Sequence, residues 1–254
     1  MASTNEVIEK VRALTERAYD NVYRTFAQLA HLEKTELAPV FNSKPFVARR
    51  SAPQHQHSIE VEGALRIDKL PQKRRQMAGA SRESLTGLSV LLTSLDIYKF
   101  GDSKPSLSNS FLYSSCVRLS YFTTMGPDWK PLFCVRYDFA KSHDAHPIFH
   151  AQLEGGVPTT EMRTTFGQLP NVLEPLTFSA QIRLPSANVV GATALLSLAA
   201  DHLALERFPE VLRTVRSQPL FREGWRCECS SLDENVPLGG MLSSRWYSGN
   251  LVAS

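Results

Sequence analysis

Three features of the sequence predict an α+β fold, with an antiparallel sheet of five or more strands covered on one face by an apolar helix, and a long amphipathic helix at the N-terminus. Two segments, 132–139 and 146–154, carry the two-residue period of strands and are separated by a short polar connection. The run 188–207 is nearly all apolar at helical spacing, as expected of a helix that covers a sheet. Strand-like and helix-like runs are also segregated along the chain, whereas a doubly wound fold would alternate them.

Residues 6–32 place Val7, Val11, Leu14, Ala18, Val22, Phe26 and Leu29 at spacings of three and four, with Glu9, Lys10, Arg12, Glu16, Arg17 and Arg24 on other faces. Ser3 and Thr4 suit N-caps. Such a helix packs either on its own domain, away from the sheet-covering helix, or on a copy or a partner. From Lys34 to His57 prolines and polar residues break any period, so this stretch reads as a long loop carrying Arg49, Arg50, His55 and His57. The two histidines lack a carboxylate or cysteine partner and read as solvent-exposed.

Ser58 to Ile67 alternates cleanly as a strand, with Ile59, Val61, Leu65 and Ile67 against Glu60, Glu62 and Arg66. The following stretch is basic, with Lys69, Lys73, Arg74, Arg75 and Arg82; a charge run of this kind is either a solvated surface or a tracker of phosphates. Leu85, Leu88, Leu91, Leu92 and Leu95 then fit a short core-facing helix over 84–95. Residues 100–109 form a turn-rich connector, and 115–122 is a strand with Val117, Leu119 and Tyr121 opposite Arg118 and Ser120. Residues 123–130 close a hairpin onto the next strand.

The two central strands carry the candidate chemistry. On 132–139, Phe133, Val135, Tyr137 and Phe139 share one face, and Cys134, Arg136 and Asp138 the other. On 146–154, Pro147, Phe149, Ala151 and Leu153 oppose His146, Ile148, His150, Gln152 and Glu154. As antiparallel neighbours they would merge Arg136, Asp138, His150 and Gln152 into one polar surface, with side chains about 4.5–5.5 Å apart when directly opposite. A further strand over 177–184 adds Gln181 and Arg183 to that surface. Between them, 155–175 is a long Gly/Pro/Thr-bearing connection of the kind that forms lids or binding loops.

After the apolar helix, 209–218 forms another helix and 221–228 a short strand around Trp225. His202, beside Asp201, reads as a helix-terminal histidine. The Gly/Ser-rich tail 230–254 carries Trp246 and Tyr247 as docking residues. The expected organisation is thus an N-terminal helix over 1–33, an α+β core over 58–229 and a tail over 230–254.

With 43% hydrophobic and 21% charged residues, the composition is that of an ordinary globular protein; the net charge of +3 permits a polyanionic partner without demanding one. No apolar run reaches the ~20 residues that span a bilayer, and Met1–Arg12 lacks the layout of a secretory signal, so a cytoplasmic location without membrane association is expected. The four cysteines read as buried thiols, because C-x2-C knuckles are absent. There is no G-x-x-x-x-G-K-[ST], G-x-G-x-x-G, H-E-x-x-H or G-x-S-x-G, which argues against P-loop, dinucleotide and zincin chemistry and calls for no cofactor. His143, His146 and His150 would align as metal ligands on a helix, but Pro147 and the alternation after it place them on a strand, so no metal is assigned.

Two functional readings follow. In the first, the Arg/His sheet face binds a nucleic acid or nucleotide. Arg118, Gln152, Lys73, Arg74 and Arg75 then contact the ligand, and in the catalytic version His150, Arg136, Asp138 and Arg183 cleave a phosphodiester without metal. His150 titrates near neutrality and would move the proton while arginine meets the phosphorane charge. On the bland version of the same face, His150 and Asp138 simply pair across strands. In the second reading the protein is a non-catalytic interaction or assembly subunit that docks a protein partner, or another copy, through its N-terminal helix and C-terminal tail.

Overall fold

The computed structural model describes residues 4–51, 58–71, 87–100, 107, 110–125, 128–139, 149–154, 164–167, 169–170, 182–185 and 189–223. Its centre is an eight-stranded antiparallel sheet. The strands are β1 (Glu36–Pro39), β2 (Phe46–Arg50), β3 (Ser58–Leu70), β4 (Leu88–Phe100), β5 (Ser110–Met125), β6 (Asp128–Phe139), β7 (Phe149–Glu154) and β8 (Ile182–Pro185). They run in the order β1-β3-β4-β5-β6-β7-β8, and β2 pairs with β3 beside β1. Among the described residues the sheet is accompanied by helices α1 (Thr4–Leu32), α2 (Gly191–His202), α3 (Phe208–Ser217) and α4 (Pro219–Glu223). The α+β class, the antiparallel sheet and the long N-terminal helix are therefore present. No helix among the described residues is long and apolar enough to cross a membrane.

One face of the sheet forms the main core. Ile59, Val61, Leu65 and Ile67 of β3, Val90 and Leu92 of β4, and Val117 and Leu119 of β5 are buried beneath Ala192, Leu195, Leu198 and Ala199 of α2. The expected covering helix over 188–207 is thus α2, shorter than expected and followed by a 3-10 turn at Leu205–Arg207. Gly63 and Gly191 let α2 lie close to the sheet, since a Cβ on either would collide with the Ser94 hydroxyl and the Phe46 ring.

The helix α1 does not pack away from this layer, as its sequence had been expected to do. Tyr19, Val22, Phe26 and Leu29 belong to the same core, and α1 lies against β2 and α2. Its hydrophobic stripe needed a surface, and β2 provides one. This also corrects the reading of 34–57 as a loop, because β1 and β2 occupy 36–39 and 46–50. Pro39 and Pro45 hid them: each removes a backbone donor, and both strands lie at the sheet margin, where that loss is tolerated.

The expected helix over 84–95 is a second correction, since Leu88–Phe100 forms β4. Leu88, Val90 and Leu92 face the helices, while Leu91 faces the opposite side, in a small cluster with Phe122 and Trp129 that Phe166 and Leu169 pack against. A strand with apolar neighbours on both faces reads as a continuous greasy run, and such a run fits a helical period equally well. The short strand expected at 221–228 is contradicted at its start, because Pro219–Glu223 is α4, with Leu220 and Phe221 buried. Residues 52–57, 72–86, 140–148, 171–181 and 224–254 lie outside the described residues, and with them the expectations for His55, His57, Lys73, Arg74, Arg75, His143, His146, Gln181, Trp246 and Tyr247.

Candidate functional site

The face of the sheet opposite the helices carries the polar residues, and its layout follows from strand register. In an antiparallel sheet, directly paired residues lie on the same face, and so do positions i and i+2. One row across β5, β6, β7 and β8 reads Arg118, Arg136, Gln152, Arg183. The next row reads Cys116, Asp138, His150, Pro185. The candidate residues Arg118, Arg136, Asp138, His150, Gln152 and Arg183 therefore fall in two adjacent rows. With neighbouring strands about 4.7–4.9 Å apart, the row from Arg118 to Arg183 spans roughly 14–15 Å.

The side-chain contacts at the centre are specific. Arg136 Nε donates to Asp138 Oδ2 at 2.6 Å, an i,i+2 pair along β6, and Arg136 Nη2 donates to Gln152 Oε1 at 3.4 Å across to β7. Gln152 is only 1% exposed, while the Arg136 and Asp138 side chains retain 28% and 15% exposure. The guanidinium is thus anchored from two sides and still reaches the surface, which orients it with little freedom to lose on meeting an anion.

Cys116, which the sequence reading did not include, joins this site, and its exposure corrects the expectation that the cysteines are buried thiols. Its thiol lies against the Asp138 carboxylate, and desolvation, with that negative charge adding to it, pushes the thiol pKa up to about 12. It is therefore a protonated thiol at neutral pH and a poor nucleophile. The remaining thiol on these strands, Cys134, is buried, and Ser120 Oγ lies 3.5 Å from its sulfur.

A second polar constellation, also missed from the sequence, lies on the other face, inside the core. Asp96 of β4 is fully buried and accepts from Tyr19 Oη of α1 at 2.8 Å, from Ser115 Oγ of β5 at 2.6 Å and from the backbone N–H of Gly191 at 2.8 Å. Tyr98 Oη lies 2.8 Å from Tyr19 Oη and completes the chain. Burial raises the Asp96 pKa to about 6, partly offset by its donors. Burial, with the Asp96 charge adding to it, pushes both tyrosines well above their ordinary value. The N-cap position of α2 is Val190, which offers no side-chain oxygen; Asp96 takes over that role from across the sheet by receiving the first helical N–H. The sequence signal was an aspartate within the apolar run LLTSLDIY, legible only once the run is assigned to a strand.

At the far end of the polar face, Arg66 stacks over Trp129 at 4.7 Å and donates through Nε to Asp68 Oδ2 at 2.6 Å, while Ser89 Oγ donates to the other oxygen of Asp68 at 2.6 Å. These contacts close that end around the Leu91–Phe122–Trp129 cluster. His202 lies in the last turn of α2, as expected, with Nδ1 3.1 Å from Pro71 O.

The chain matches no known protein family, no curated protein and no solved structure. Its functional reading rests on the geometry above.

Proposed function

We propose that the β5–β8 face binds a phosphate-bearing ligand, a nucleic acid or nucleotide, through Arg118, Arg136 and Arg183, with Gln152 positioning Arg136. The observation that carries this reading is the register row, which sets three arginines on four consecutive strands of one face. Guanidinium groups recognise phosphate oxygens bidentately, and a row of them suits a ligand with more than one phosphate or a phosphodiester backbone. Asp138 offsets part of that charge and lies directly opposite His150, where it would orient an imidazole for proton transfer. In the catalytic version, His150 accepts or donates the proton and the arginines meet the developing charge. Lys73, Arg74 and Arg75 would add phosphate contacts beyond the sheet.

The alternative, an assembly subunit docking a partner through its N-terminal helix and C-terminal tail, requires of the helix an apolar stripe that is available. Val11, Ala18, Val22, Phe26 and Leu29 of α1 are buried within the chain's own core, which favours the ligand-binding reading.

The catalytic version is tested with a panel of RNA, DNA and cyclic nucleotide substrates. His150→Ala should lower turnover about 10²–10⁴-fold with ligand affinity nearly unchanged, because proton transfer is felt mainly in the transition state. Folded protein that gives no His150-dependent product on any of them overturns the catalytic version and leaves binding alone.

A further inference from the structure

The helix layer ends before the sheet does. On the helix-facing side, Val117, Leu119 and Tyr121 of β5 are buried, but Phe133, Val135 and Tyr137 of β6 are only half-buried, and Leu153 of β7 is 41% exposed. Among the described residues the end of α2 reaches in that direction, with His202 6.0 Å from the Tyr121 ring, itself stacked on Phe133 at 4.5 Å. Among the described side chains, an apolar surface thus continues past the covering helices over β6 and β7.

The chain itself supplies an occupant. Its described part ends at Glu223 in α4, which packs on α1 and β5; Phe221 lies 5.3 Å from Tyr19. Residues 224–254 follow, with Trp225, Leu238, Met241, Leu242, Trp246 and Tyr247 among them. Phe221 packs on Tyr19 beside the Asp96–Ser115 row, and Leu153 lies two strands across and four residues along from Ser115, roughly 16 Å, which about five extended residues cross. This segment therefore begins within reach of the partly exposed face and carries apolar and aromatic side chains of the type that face would bury. We propose that residues 224–254 of the same chain dock on the helix-facing side of β6 and β7, continuing the cover that α1 and α2 provide over β2–β5.

The test uses the full chain, with hydrogen exchange and light scattering read together. The expected result is a monomer in which peptides within 224–254 exchange at least about tenfold more slowly than unstructured chain. Leu153→Asp should abolish that protection, and Leu14→Asp, a control on α1 at a site 37% exposed, should preserve it. Because an aspartate on β7 also perturbs the strand itself, a photo-crosslinking phenylalanine analogue at position 153 gives a second readout, with crosslinks expected to residues 224–254 of the same molecule. No protection in 224–254, protection insensitive to Leu153→Asp, or crosslinks elsewhere would overturn the proposal. A dimer that Leu153→Asp dissociates would also overturn it, and would assign the face to a second copy.

Discussion

Asp96 and Asp138 lie two strands apart in one sheet and face opposite ways, and their surroundings give them different chemistry. Asp96 is sealed among hydroxyls and a helix N-terminus, with no cation from α1, α2 or β5 among its hydrogen-bond partners, so desolvation dominates and its pKa climbs to about 6. Asp138 sits at the surface against an arginine that itself reaches solvent. A strongly perturbed carboxyl is commonly a pointer to function, yet here the perturbed group ties α1, β5 and α2 together inside the core, and the accessible, charge-paired one occupies the candidate site. Burial measures what a group holds together; access to solvent decides what it can meet.

The comparison breaks most visibly at Asp96→Ala. Tyr19, Ser115 and the Gly191 N–H would lose a shared buried acceptor, and at about 1–3 kcal/mol for each unsatisfied group the loss should be roughly 3–5 kcal/mol in urea unfolding. Anion binding by the molecules that remain folded should be unchanged.

Next in size is a pH effect whose sign is opposite to that of an ordinary salt-bridged carboxylate. The folded state holds the Asp96 proton more tightly than the unfolded state, so the contribution of this group to stability is complete below about pH 4 and declines as pH rises through about 6. Raising the pKa from 3.8 to about 6, at 1.36 kcal/mol per unit, corresponds to about 3 kcal/mol. Asp96→Asn removes the titration while keeping an acceptor oxygen for Tyr19 and the Gly191 N–H; its amide end becomes a donor to Ser115 Oγ, which can itself donate to Val189 O. The variant's stability relative to the native chain should therefore rise between pH 4 and pH 7, and a flat difference across that range would refute the assignment.

Asp138→Asn should do little to stability, less than about 1 kcal/mol, because the Arg136–Asp138 pair is partly exposed. It should strengthen anion binding by a few fold, since the arginine row loses its counter-charge. Titrating a labelled oligonucleotide into both proteins checks this, and weaker binding by the variant would mean that Asp138 serves the ligand in another way.

How far the letters revealed this arrangement depended on how cleanly each strand divides its two faces. β6 and β7 were legible because Phe133, Val135 and Tyr137 alternate with Cys134, Arg136 and Asp138, and the pairing of Asp138 with His150 followed from adjacency alone. β4 was not, because Leu91 and Leu92 are buried on opposite faces and the alternation disappears. That one misreading concealed Asp96, since an aspartate after a helix suggests a solvent-exposed end, whereas on a central strand it demands buried partners. Those partners, Tyr19 and Gly191, come from distant parts of the chain, a contact no local period encodes. β1 and β2 were hidden by prolines and by their shortness, and their presence explains where α1 packs.

The claim that the β5–β8 face is a phosphate-binding surface is tested most directly by the salt dependence of single-stranded RNA binding, measured by fluorescence anisotropy on the native chain and on Arg136→Ala. The account predicts affinity falling steeply between about 50 and 200 mM salt, and a log–log slope that becomes shallower by about one on losing Arg136. Binding that ignores salt, or a slope unchanged when Arg136 and Arg118 are both replaced, would contradict it.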